Sequence, residues 1–150
     1  MIEIRPTTNK EVILNILTNP TLFKLSGEVS RIEDFIVDPS YFFLEFLVDD
    51  KTAGLLKVRY LTAITVEAHI MILPEHHESG ISLDIASKII EFLKVNTQLS
   101  NLVTFVPSSC VHVIKYMRRI HFQLYGIISN GIVYNNQKND LYCYKYEIVR

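Results

Sequence analysis

Apolar and polar residues alternate along Ile2-Glu3-Ile4-Arg5-Pro6, the two-residue period of a half-buried strand. Thr8 then stands as a helix cap, with Glu11 three residues on in a capping-box pattern, before the helical run of residues 9–18. A second helical stretch is read around residues 32–38, ending at the Asp38-Pro39-Ser40 turn. Two largely buried strands follow, 41–49 and 55–63, joined through Asp50-Lys51-Thr52-Ala53-Gly54. A third strand, 64–73, puts Val66, Ala68, Ile70 and Ile72 on one face and Glu67, His69 and Met71 on the other.

The period then changes. Ile81, Ile85, Ile89 and Phe92 or Leu93 form a helical stripe over residues 81–95. Residues 102–107 read as a short buried strand and 111–119 as an amphipathic helix with a basic end. Residues 122–129, an Asn130-Gly131 turn and the closing run 141–149 complete a terminal hairpin. The order β-α-α-β-β-β-α-β-α-β-β predicts an α/β fold with a single mixed sheet flanked by helices, in one domain over residues 1–150.

Composition narrows the function classes. The chain has 150 residues, 49% of them hydrophobic, and a formal net charge of -1. That length supports one domain with a real core. Charges of both signs are interspersed, so no basic stripe indicates nucleic acid as a partner and no acidic block indicates a disordered tail. The N-terminal MIEIRPTTNK lacks the apolar region of a leader, and no apolar run reaches the roughly 18 residues of a membrane span. The expectation is a cytoplasmic, bacterial or host-cell protein without a membrane partner. Cys110 and Cys143 belong to no Cys-x-x-Cys pair and are read as free thiols.

Several residues could carry chemistry. The loop between the strand 64–73 and the helix from 81 contains Pro74, the adjacent His76 and His77, and Gly80. A helix N-terminus offers unpaired N–H groups and a positive dipole end, and a glycine allows a phosphate to approach closely. His76 and His77 with Glu75, Glu78 and His69 suggest a metal, but adjacent residues diverge in direction and no ligand spacing is present. No metal is expected. Cys110 with His112 or His121 suggests a thiol nucleophile, against the plainer reading of a buried, unreactive thiol. Tyr142, Tyr144 and Tyr146 alternate along the last strand as core or interface, and that strand offers a sheet edge to a second copy of the chain in a homo-oligomer.

Pro74-Glu75-His76-His77-Glu78-Ser79-Gly80-Ile81-Ser82 resembles the acetyl-CoA loop of the GNAT (GCN5-related N-acetyltransferase) superfamily, which runs Pro-Glu-x-Arg-Gly-x-Gly-x-Gly or Ala into a helix. Residues 106–126 look like a second segment of that family: Val106 and Pro107 match, Phe122 stands for the aromatic of Gly-Phe, and Gly126 follows at the expected distance. The C-terminal NDLYCYKYEIVR is similar to the ending of many bacterial and phage-encoded relatives. The resemblance covers residues 41–150. It implies the GNAT acyl-CoA N-acyltransferase fold, with a mostly antiparallel central sheet, and acetyl-CoA as cofactor. The departures are specific: His77 replaces arginine, Glu78 glycine, Ser82 the third small residue, Cys110 the asparagine after the next strand, and His121 the glycine of Gly-Phe.

The resemblance implies a transferase that moves an acetyl group to a primary amine on a small molecule or protein. Cofactor contacts fall on Ile72, Leu73, His77, Glu78, Ser79, Gly80, Ile81, Ser82 and Cys110. Glu67, with His69 beside it, stands where the fold places the base that deprotonates the amine. Ungapped alignment puts Met117 where many members carry a tyrosine acid. Tyr116 is one residue away, about 100° around a helix, so the proton donor is Tyr116 or water. Glu78 and Asp84 bring negative charge toward the pyrophosphate position. The alternative is therefore a catalytically inactive GNAT-fold binding or assembly protein of bacteriophage type, with a protein partner in particle assembly.

Overall fold

The computed structural model describes residues 1–25, 31–77 and 80–150. Strand β1 (Ile2–Thr7) leads into helices α1 (Lys10–Leu17) and α2 (Pro20–Leu25), then strands β2 (Phe42–Val48), β3 (Lys51–Tyr60) and β4 (Thr65–Ile72). Helix α3 (Ile81–Asn96), strand β5 (Asn101–Pro107), helix α4 (Val111–Arg119) and strands β6 (Gln123–Tyr134) and β7 (Gln137–Glu147) complete the chain. The strands form one sheet in the order β1-β2-β3-β4-β5-β7-β6. Every neighbouring pair is antiparallel except β4 with β5.

Alternation along the strands divides the core into two layers. One side collects Phe46, Val58, Val66, Leu102 and Val106 under α3 and α4, through Ile85, Ile89, Leu93 and Met117. The other holds Phe43 and Leu55 against Ile13, Ile16, Leu17 and Leu22 of α1 and α2. Ile85, Ile89 and Leu93 of the expected α3 stripe are all buried.

The structure corrects four local readings. Asn9, and not Thr8, caps α1: its side chain accepts from Glu11 N–H at 3.1 Å and Val12 N–H at 3.3 Å. Glu11 thereby falls one position short of the capping-box site. The second helix lies at Pro20–Leu25, where Asn19 accepts from the N–H groups of Thr21 and Leu22 and Pro20 takes the first helical position. Residues 32–38 keep only one 3-10 turn, Ile32–Asp34. The β2–β3 turn is the pair Asp49-Asp50, both at positive φ, so residues 51–54 already belong to β3.

The last hairpin turns later than Asn130-Gly131. Its turn is Asn135-Asn136, with φ of 50° and 60°, the left-handed pair that a tight two-residue turn requires. Asn130, at φ 49°, instead forms an irregularity inside β6, where its N–H donates to Asp140 Oδ1 at 3.0 Å. A side chain at Gly131 would press on Leu141 and Ile128, so the glycine serves close strand packing there.

Candidate active site

The parallel pair β4 and β5 is matched only over three residues, Thr65 to Glu67 against Asn101 to Val103. Beyond that point the two strands have no paired positions, and the sheet opens toward Ile72 and Pro107. β3 covers the other edge of β4 along its whole length, from Tyr60 opposite Val66 to Gly54 opposite Ile72. Residues 68–72 therefore present one backbone edge to the opening with no strand to bond it.

At the closed end of the opening stand the two residues singled out as base candidates. Register places Arg59 of β3 directly across from Glu67, and Arg59 Nη2 donates to Glu67 Oε2. His69 Nε2 lies 2.7 Å from Glu67 Oε1, and Tyr41 O–H donates to the same oxygen at 3.3 Å. Glu67 is almost fully enclosed, with 6% relative exposure. The hydrogen bond from His69, together with Arg59, outweighs the opposing effect of burial and holds the Glu67 carboxyl down at about 2. Lys57 Nζ and Arg59 Cζ stack on the Tyr41 ring at 4.2 and 5.0 Å from its centre, which steadies that ring against the pair. Burial, and then the nearby Glu67 charge, push the Tyr41 hydroxyl up.

A carboxylate that acidic is a poor proton acceptor near neutral pH but a strong hydrogen-bond acceptor. Its partner nitrogen, His69 Nε2, is then assigned the hydrogen, leaving the lone pair on Nδ1. Nδ1 lies 3.5 Å from Thr104 Oγ1 of β5, so the imidazole spans the opening from one strand to the other.

At the wide end, β4 delivers the chain to α3. Gly80 precedes the helix at φ 74° and ψ −14°, and among the described residues no side chain caps the first-turn N–H groups. Among the described residues, nothing lies within 4 Å of the position a Cβ would take at Gly80. A helix start entered through a glycine, beside an open strand edge, fits an elongated anionic ligand carrying amides. Asp84, exposed in the first turn of α3, is the opposing charge.

The other expected site residues fall around these two ends. Leu73 N–H bonds Ala53 O at 2.8 Å, anchoring the end of β4 to β3. His77 Nε2 sits 2.6 Å from Ile72 O, closing the strand end with an imidazole. Tyr116 O–H donates to Ser82 O at 2.7 Å and ties α4 to the first turn of α3, and burial pushes its pKa well up. Glu78 and Ser79 lie outside the described residues. Cys110 is buried at the start of α4 near Tyr134, whose hydroxyl is pushed up to about 12 by burial first and by Cys110 second. His121 adopts φ 65° just past α4, which is why a glycine suits this position and histidine is tolerated.

Arg59, Tyr41 and Thr104 were missed in the sequence. Arg59 could have been found from the β3–β4 register, because a cationic residue opposite a buried glutamate is a natural cross-strand pair. Tyr41 and Thr104 carry no local signal. Among the described residues, no group of three His, Cys, Asp or Glu side chains is placed to hold a metal ion, and no helix is long and apolar enough to cross a membrane.

A family model described as "Protein of unknown function (DUF2824)" matches residues 4–148. The chain belongs to the DUF2824 family. No curated protein matches this DUF2824 chain. Among solved structures it is similar to spermidine N-acetyltransferase from Vibrio cholerae in complex with CoA and spermine, at TM-score 0.81 and 14% identity, covering 98% of this chain and 95% of that one. It is also similar to ribosomal-protein-S18-alanine N-acetyltransferase from Escherichia coli, at TM-score 0.74 and 13% identity over 100% and 96% of the two chains. An acetyltransferase of the GNAT family from Streptococcus pneumoniae gives TM-score 0.74 and 15% identity over 99% and 100%. The DUF2824 chain has the GNAT fold, as its loop and Val106-Pro107 segment implied.

Proposed function

We propose that this DUF2824 protein is an N-acetyltransferase that uses acetyl-CoA to acetylate a primary amine. The observation that carries the reading is the opening between β4 and β5 with the Glu67–His69 pair at its closed end. Acetyl-CoA supplies an acyl group activated as a thioester. The N–H groups of Gly80, Ile81 and Ser82 hold its pyrophosphate, and the free edge of β4 around Ala68 and Ile70 takes its amides.

His69 Nδ1 takes the proton from the incoming ammonium, which frees the nitrogen lone pair for attack. Glu67 is the positioning residue: it fixes the imidazole tautomer and stabilises the imidazolium that forms. Tyr116, or water, returns a proton to the departing thiolate, and Tyr116 must release Ser82 O to do so. The acceptor class follows the neighbours, a spermidine N-acetyltransferase and a ribosomal-protein-S18-alanine N-acetyltransferase, so polyamines and protein amines are the first to test.

A second reading, a GNAT-fold module that binds a partner in particle assembly and turns nothing over, draws on one observation. His77 and Tyr116 are both spent on internal carbonyls, those of Ile72 and Ser82. Titration calorimetry with acetyl-CoA separates the two. The transferase reading expects micromolar-range binding, and His69→Gln should keep that binding while turnover falls about 10²–10⁴-fold. No heat and no thermal stabilisation at millimolar acetyl-CoA would leave the partner-binding reading.

A further inference from the structure

The closed end of the β4–β5 opening does not stop at His69. On the α3 and α4 side it continues into a cavity of about 260 Å³. Ala68 and Thr104, from the two strand edges, stand at its inner side. Its walls are apolar: Leu102, Ile90, Ile120 and Phe122 are among the lining residues. Ser87 of α3, with Arg119 and His121 at the end of α4, forms an exposed rim on the same cavity.

Direction follows from the ladder. The opening is wide at Ile72, next to the start of α3, and closes at Glu67 and Val103. A ligand held at Gly80 and running down β4 reaches Ala68 and Thr104 with its far end, beside His69 Nδ1. Whatever is attached beyond the reacting carbon enters the cavity. An acetyl group adds only one methyl there, whereas a cavity of roughly 150 Å³ lined by Leu, Ile and Phe already takes up benzene. The space is larger than that and mainly apolar, its polar side chains being Ser87, Arg119 and His121 at the rim with Thr104 and Tyr146.

We infer that this cavity is the acyl-chain pocket of the donor site, shaped for a medium-chain acyl-CoA of about six to eight acyl carbons. The inference rests on the transferase reading, because it takes the donor to lie along β4. Arg119 and His121 flank the exit by which a longer chain would reach solvent. Each methylene buried in such a pocket tightens binding about fourfold.

Calorimetry with CoA, acetyl-CoA and octanoyl-CoA on the native chain tests it. Octanoyl-CoA has six more methylenes than acetyl-CoA. Burial of half of them predicts a dissociation constant about sixtyfold lower. Ser87→Leu at the rim and Ala86→Leu in the wall should each remove at least tenfold of that advantage and leave acetyl-CoA binding within threefold. The rim variant guards against a folding defect, and thermal unfolding checks both. Octanoyl-CoA binding no tighter than acetyl-CoA overturns the pocket while the transferase reading stands. Absence of binding by CoA and both thioesters overturns the transferase reading and the pocket with it. Tight octanoyl-CoA binding that neither variant weakens places the chain elsewhere and also overturns the pocket.

Discussion

Glu67 is charged and enclosed because three donors converge on it. Its carboxyl is held at about 2, below its ordinary 4.5, by His69 first and then by Arg59. A folded-state value below the unfolded one stabilises the fold at pH above about 4.5, and that contribution is lost as the pH falls from about 4.5 through about 2. Allowing for the partial exposure of Arg59 and His69, the contribution is about 2–3 kcal/mol. Urea unfolding between pH 6 and pH 2 should show that loss in the native chain, and Glu67→Gln should flatten the profile across the same window. An equally steep profile in the variant would assign the acid sensitivity to other carboxyls. Gly80 gives the second residue-scale expectation. Aspartate tolerates the left-handed backbone and sits favourably at a helix start, so Gly80→Asp should cost about 1 kcal/mol or less in stability. Its charge faces the proposed pyrophosphate site, and acetyl-CoA binding in the calorimeter should be lost. Normal binding would rule out the Gly80 loop as the phosphate site. Glu67, His69 and Gly80 were legible in the sequence because strand alternation and one loop glycine are local signals; Arg59 and Thr104 were not, because only the register brings them to Glu67 and His69.

Elements whose signals are local were legible, and those decided by neighbours were not. The α3 stripe and the β4 alternation follow from periods of about 3.6 and 2 residues, and both appear in the structure at the expected residues. Asn130-Gly131 carries the strongest short hairpin signal, yet the chain turns at Asn135-Asn136, because β7 pairs with β6 on both sides of Asn130. The β2–β3 hairpin holds a similar lesson in Gly54. It stands opposite Phe46, next to a register shift, and a Cβ there would run into the Phe46 ring and the Met71 carbonyl. The close approach fixes the spacing of β2, β3 and β4 beneath the site. Gly54→Ala should therefore cost about 3 kcal/mol, at the upper end of overpacking effects, measured as a lower denaturation midpoint. A loss under about 1 kcal/mol would mean that the sheet relaxes there freely.

At the scale of the whole molecule, the sheet is two antiparallel halves, β1 to β4 and β5-β7-β6, joined by three paired positions and by α3. No sequence pattern announces that opening, because it is a property of how two strands far apart in the chain fail to stay parallel. Ser100 N–H and Asn101 N–H reinforce the junction by donating to Ile64 O at 2.8 and 3.1 Å, and the tail of the chain holds that segment through Arg150 to Leu99 O and Thr97 O. The halves are thus bound tightly at one end and free at the other, so a ligand that bridges the free end adds bonds the folded chain lacks. Hydrogen exchange should read this directly. With acetyl-CoA at about 100 times its dissociation constant, the native state gains roughly 2.7 kcal/mol. Slowing beyond that global gain should concentrate in the β4 edge at 68–72, the first turn of α3 and β5 beyond Val103, with α1 and α2 unchanged beyond it. Uniform slowing over both halves would mean that the ligand stabilises the fold without bridging the opening. Slowing confined to β6 and β7 would move the donor site away from β4, and His69 would then have no thioester to serve.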